Sequence, residues 1–195
     1  MGNLPNSLFT NGAFIPPDVE LTVPLSKQAG KIYTNGESVM PSRRELIQMT
    51  AGEIRDYLAG QSRIIVVTNG YDGLPHPVPM DFGQDEEGQI FITTFRKSQK
   101  VRNLERDPRA SLLVESGETY QQLKSVIMYA DAEIIFDASE VLSYMARIKA
   151  EQALASSLSS RMSDQVRTSI AKRVVVRFTP FRYVSWDHSK LDGFY

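Results

Sequence analysis

The chain contains no cysteine, and that one absence removes disulfides, thiolate zinc sites, iron–sulfur ligation and cysteine nucleophiles together. It fits a reducing compartment, so a cytoplasmic location is expected. Histidine is scarce as well. His76 sits among prolines and His188 follows Trp186 and Asp187, and two histidines are too few for a metal site. Long apolar runs are missing too: the longest is the five residues Val126 to Ala130, whereas a membrane-spanning helix needs about 20. The first basic residue is Lys27, and Pro5, Asn11, Pro16 and Pro17 interrupt the apolar residues before it, so no secretory signal is expected. Charge of one sign is also lacking, because 22 Lys and Arg face 23 Asp and Glu for a net charge of −1. No global field draws in nucleic acid or an anionic bilayer, and any charge-driven binding must be local.

What is present is ordinary globular composition. With 42% hydrophobic and 23% charged residues, 195 residues suit one substantial core. Residues 1–49 are rich in Gly, Pro, Asn and Ser without a sustained pattern, which predicts an arm rather than a domain. Its Phe9, Phe14, Ile15, Leu21, Val23 and Tyr33 suit packing on the body or on a partner subunit. From Thr50 onward, residues 50–195 read as the folded domain. Thr50 with Glu53 forms a capping box, Ile54, Tyr57 and Leu58 give an apolar stripe, and Gly60 suits the C-terminal cap of a short helix.

Strand signals follow. "RIIVVTN", "LPHPVPMDF" and "QIFITTF" are separated by the turns "NGYDG" and "DEEG", predicting three antiparallel strands. Pro75, Pro77 and Pro79 alternate in the second, which must therefore lie at an edge or be bulged. Ser98 can cap a helix that Pro108 ends, after which "RASLLVES" and "KSVIMYADAEIIF" read as strands. A helical stretch runs from Ser139 to about Lys172, broken near "SSLSSRMSD", and the last strands are "RVVVRFTP" and "FRYVSWDH", split at Pro180. Six or seven short strands with few helices predict a mainly β fold, a closed antiparallel barrel with appended helices.

The sharpest chemical feature is "TTFRKSQKVRNLERDPR", with six basic residues from Arg96 to Arg109 against two acids. It sets Thr93, Thr94, Ser98 and Lys100 at a strand-to-helix junction, where unpaired N–H groups, hydroxyls and a cation suit a phosphate. The competing reading is a solvated, soluble helix face. Nucleic-acid binding is disfavoured by the net acidic chain and the absence of interleaved exposed aromatics. Asp85, Glu86 and Glu87 read as a solvated turn, and Trp186 as a packing residue or a lid over a cofactor ring. No Gly-rich dinucleotide fingerprint, Walker loop or zinc-protease helix is present.

In "RIIVVTNGYDGLPHPVPMDF", "IFITTFRKSQKVRNLERDPRASLLVE", "YADAEII" and "VVVRFTPFRYVSWDHSKLDGFY", taken in that order, residues 50 to 195 resemble the pyridoxamine 5′-phosphate oxidase-like proteins, the split-barrel flavin and deazaflavin oxidoreductases. The resemblance implies a split antiparallel β-barrel that binds FMN in a groove between two identical subunits. It implies phosphate-holding roles for Thr93, Thr94, Ser98 and Lys100. Gln99 stands where the family commonly has arginine, which shifts weight to Arg96 or Lys97. Arg63 corresponds to the family's early strand arginine, and Val78, Pro79 and Met80 would line the ring system. The substrate-binding end of the true oxidases is not recognisable in "RYVSWDHSKLDGFY", so a small organic substrate is implied but not its identity. A deazaflavin coenzyme is the alternative cofactor, its acidic tail suited to the basic run from Arg96, and a flavin-binding sensor without turnover is the alternative function.

Overall fold

In the computed structural model, the described residues are 42–85, 87–152 and 170–191, with the side chains of residues 149–152 left aside. Two short helices open it, α1 (Arg43–Ile47) and α2 (Ala51–Ala59). Both start with the reciprocal capping box, Ser42 with Glu45 and Thr50 with Glu53. Strands β1 (Arg63–Asn69), β2 (Pro75–Asp81), β3 (Gly83–Gln84) and β4 (Ile90–Phe95) come next, followed by α3 (Gln99–Arg106). Then come β5 (Arg109–Ser116), β6 (Lys124–Ile135), α4 (Ala138–Gln152) and β7 (Arg173–Asp187). Single 3₁₀ turns cover Tyr120–Gln122 and His188–Leu191.

All strand pairings are antiparallel, in the order β2-β1-β5-β6-β7-β4-β3. The two strands at opposite ends of that order, β2 and β3, are separated in the chain by Phe82 alone. Since consecutive Cα atoms lie about 3.8 Å apart, the sheet has to curl until its two edges meet. This is the split antiparallel β-barrel expected from the sequence.

The prolines of β2 behave as their chemistry requires. Pro75, Pro77 and Pro79 face Asn69, Val67 and Ile65 in an unbroken register with β1, at positions whose missing N–H would point away from that strand. β2 is accordingly an edge.

The core lies inside the curl. Alternation sends Ile64 and Val66 of β1, Ile90 and Ile92 of β4, Leu112 and Val114 of β5, and Val174 and Val176 of β7 inward, all at most 1% exposed. α2 and α3 close over it with Ile54, Leu58, Val101 and Leu104. On the outer face α4 covers a second cluster of Phe91, Ile135, Val141, Ile148, Ile170 and Val175, where Tyr144 meets the Phe91 ring edge-on at 4.6 Å.

Three expectations are corrected. The last two strands are one, because Pro180 does not end β7; the register with β6 shifts between Tyr129 and Ala130, so a bulge at Phe181 absorbs the irregularity. β3 was not foreseen, since two residues carry no pattern. Asp85 is not solvated: it is 9% exposed, folded under the β3–β4 turn with Oδ1 accepting from the Gln89 N–H at 2.7 Å, while Glu87 is exposed. Glu86, residues 1–41 of the arm, and the "SSLSSRMSD" break lie outside the described residues. Residues 42–49 sit on the body, with Met49 at 1% exposure donating its N–H to Ser185 Oγ at 3.1 Å.

Candidate functional site

α3 lies across the mouth of the barrel, where β1 and β4 end. Its face toward the barrel carries two apolar residues, Val101 and Leu104, and two polar ones, Lys100 and Asn103, all four buried. Burying Lys or Asn is costly unless each finds a partner, and each does so on a different strand.

Thr94 shares the inward face of β4 with Ile90 and Ile92, and its hydroxyl accepts from Lys100 Nζ at 2.9 Å. Ser98 Oγ lies 3.5 Å from the same hydroxyl. Ser98 is the N-cap residue of α3, yet its side chain makes no capping bond, so the first N–H groups of the helix carry no side-chain acceptor. Lys100 is 8% exposed and burial pushes its amine below the ordinary lysine range, with no carboxylate among the causes. Among the described residues this leaves a buried amine with one hydrogen bond, two hydroxyls and a helix N-terminus without a side-chain cap in one place. That donor set fits a phosphate monoester, the group that FMN would place there.

Beside it, Asn103 Nδ2 donates to Thr68 Oγ1 at 2.9 Å, with both residues fully buried, and Gln99 Nε2 donates to Asn103 Oδ1 at 2.9 Å. This amide chain borders an open cleft of about 520 Å³ lined by Gly70, Tyr71, Asp72, Leu74, Pro75, His76, Gln99 and Asn103. The β1–β2 turn forms the other wall. It is held to α3 by Arg106, which donates to the Asn69 carbonyl and lies 5.7 Å from the Tyr71 ring, and by Asn69 Nδ2 to Asp107 at 2.7 Å. Paired hydrogen bonds from Arg109 hold the Asp107 carboxyl far below the usual carboxylate range.

Thus the structure brings Thr94, Ser98, Gln99 and Lys100 together. Thr93 sits on the opposite face of β4, half-buried, because adjacent strand residues point apart. Arg96 is exposed with its guanidinium 4.7 Å from the Phe136 ring, and Lys97 is exposed. Val78 and Met80 face inward from β2, Met80 against the core, whereas Pro79 points out. Arg63 is at the other end of β1 from Thr68, about 17 Å along the strand, and pairs with Asp81 at 2.9 Å. Trp186 lies near the far end of β7 opposite Ser125, half-buried, and does not join the Lys100 group within one chain. Sequence reasoning missed Thr68 and Asn103. The signal was there: Asn103 falls between Val101 and Leu104 on a short helix, at spacing i+4 from Gln99.

The curled sheet with a helix across its mouth defines a split-barrel protein. Residues 50–187 match the family described as pyridoxamine 5′-phosphate oxidase, and the chain belongs to it. A conserved hypothetical protein of Mycobacterium tuberculosis is 32% identical, over 78% of this chain and 93% of that one, with a TM-score of 0.65. A Bacteroides thetaiotaomicron structure titled as a 5-nitroimidazole antibiotic resistance protein shares the fold at 16% identity and a TM-score of 0.58, covering 71% of this chain and 84% of that one. A Listeria innocua structure titled as a pyridoxamine 5′-phosphate oxidase does so at 16% identity and 0.52, covering 68% and 94%. No curated protein matches the chain. No helix among the described residues is long and apolar enough to cross a membrane.

Proposed function

We propose that the chain is a flavin-dependent oxidoreductase that binds FMN with its phosphate on Lys100, Thr94 and Ser98 and acts on a small organic substrate. The observation that carries this is Lys100: among the described residues no acid pairs with this buried amine, and hydroxyls and helix N–H groups surround it, which suits one half of an anion site. The flavin supplies the hydride or electron chemistry. The chain's part is to anchor the phosphate and to offer an apolar wall from β2, through Val78 and Met80. No side-chain nucleophile is called for, which suits a protein without cysteine.

The reading includes a homodimer in the cytoplasm. Ile65, Leu113, Ile127 and Val184 form one cross-strand row over β1, β5, β6 and β7 on the outer face, each half-buried. A second copy packed on that row would bury it. A deazaflavin coenzyme is the second reading. Exposed Arg96 and Lys97 extend the positive charge outward from Lys100, as an acidic cofactor tail would favour.

The test is the absorption spectrum of the purified protein, followed by heat release and mass measurement of the chromophore. FMN, together with reduction of the bound flavin by a nicotinamide donor, supports the proposal. A deazaflavin mass selects the second reading. A bound flavin that no donor reduces marks a sensor, and failure of the apoprotein to bind FMN overturns the proposal.

A further inference from the structure

We propose that the cleft between the β1–β2 turn and α3 binds a neutral nitrogen heteroaromatic ring bearing an amide-type edge, and rejects the corresponding carboxylate. Its role as the substrate pocket rests on the flavin reading, but the binding itself does not.

The cleft is built for such a group. At about 520 Å³ it has the volume of a small-ligand site. Tyr71, Leu74 and Pro75 give it apolar walls, and Tyr71, 89% exposed, stands at the rim where a ring can stack on it. The polar lining is where the chemistry is decided. Asn103 has both ends of its amide engaged, with Gln99 and with Thr68, and so holds Gln99 in place. Gln99 keeps an amide oxygen and a second N–H, an acceptor beside a donor, which is the complement of a carboxamide or lactam edge.

Charge excludes the anionic counterpart. No lysine or arginine lines the cleft, and Asp72 does. Asp72 Oδ1 accepts from the Leu74 N–H at 3.1 Å, so the carboxylate is fixed in the turn. The two nearest cations lie outside the lining: Lys100 Nζ donates to Thr94, and Arg106 donates to the Asn69 carbonyl. Asp72 and His76 both line the cleft, and a ligand carboxylate or phosphate would meet the Asp72 carboxylate with no lysine or arginine in the lining to offset it; like-charge contacts of that kind give selectivity.

Nicotinamide and nicotinate are the probes, matched in shape and different in charge. Each is titrated into the full-length apoprotein while backbone N–H resonances are followed. Nicotinamide is expected to shift Tyr71, Gly73, His76 and Gln99 saturably, and nicotinate to bind roughly ten-fold more weakly or worse. Gln99→Ala should weaken nicotinamide about three- to ten-fold, and Gln99→Arg should reverse the preference. Equal or tighter binding of nicotinate, shifts confined to other residues, or no shift with either probe would overturn the proposal. Repeating the titration with saturating FMN separates the two sites: loss of nicotinamide binding would assign the cleft to the cofactor and also overturn it. Retained nicotinamide binding in a protein that never takes up FMN would leave this proposal standing and sink the flavin reading alone.

Discussion

Lys100→Met keeps a side chain of similar length in the same buried slot and removes only the ammonium. A charge-assisted hydrogen bond to phosphate contributes about 1.5–3 kcal/mol, and 1.4 kcal/mol is about ten-fold in affinity. FMN binding should therefore weaken by about ten- to a hundred-fold. The stability of the apoprotein should go the other way or stay level. Lys100 is 8% exposed and its amine is pushed down by burial, so the folded chain holds that charge at a penalty. Between the lowered value and the ordinary lysine value the unfolded chain binds more protons, so wild-type stability rises with pH through that window. The methionine variant should lose that rise. FMN affinity has the opposite slope: phosphate favours the protonated amine, so wild-type affinity falls as pH climbs through the Lys100 pKa.

The assay pairs flavin titration with thermal unfolding of the apoprotein across pH. Arg102→Ala is the control, since Arg102 is exposed on the same helix. Arg106 is unsuitable for that purpose because it anchors the β1–β2 turn. Equal FMN affinity in wild type and Lys100→Met would refute the phosphate assignment. A marked loss of apoprotein stability with normal FMN affinity would refute it too, and would make Lys100 a structural residue.

Asp85→Asn should raise stability at neutral pH by about 1 kcal/mol or more. Asp85 Oδ2 is buried without a partner and burial pushes the carboxyl upward, so the folded chain binds more protons than the unfolded one above the ordinary Asp value and wild-type stability declines as pH rises through that window. The amide keeps the acceptor for the Gln89 N–H, and unfolding at several pH values checks the flattened profile. Gly83→Ala places a methyl 2.6 Å from Phe91 Cζ inside the α4-covered cluster, so denaturant unfolding should show a loss of about 1–3 kcal/mol. Leu113→Glu puts a charge into the outer apolar row and should give a sedimentation mass of one chain, with the fold retained by circular dichroism. A dimer that persists unchanged would place the subunit contact elsewhere.

Periodicity made most of the strands legible. β1, β5 and β6 alternate because one face meets the core and the other does not, β4 reads as a β-branched and aromatic run buried on both faces, and Pro75, Pro77 and Pro79 marked β2 as an edge by removing N–H groups. The failures share a physical cause, which is that the deciding contact lies far away in the chain. β3 exists because Phe82 must carry the chain from one sheet edge to the other, and β7 survives Pro180 because β6 tolerates a bulge. Asp85 looked like part of an acidic, solvated turn, yet the β3–β4 turn folds it inward. At the site, Ser98 and Lys100 were visible as a strand-to-helix junction with hydroxyls and a cation. Thr68 was not, since its partner Asn103 is 35 residues away.

α3 shows why the site is where it is. A helix closing a barrel mouth would gain stability from apolar residues at Lys100 and Asn103, each worth about 1.5–3 kcal/mol when fully buried. The chain instead buries a lysine and an asparagine there and meets them with threonines from two strands, Thr94 and Thr68. The asparagine is satisfied within the chain, and it orients Gln99 toward the cleft. The lysine's charge is not: among the described residues no acid pairs with it, and the N-cap serine beside it makes no side-chain capping bond. A buried charge met only by a hydroxyl, beside a helix end without its side-chain cap, is what a binding site leaves behind when its ligand supplies the missing partner. Lys100→Met and Gln99→Arg therefore probe two halves of one helix turn, the first through phosphate and the second through the charge of a ring substituent.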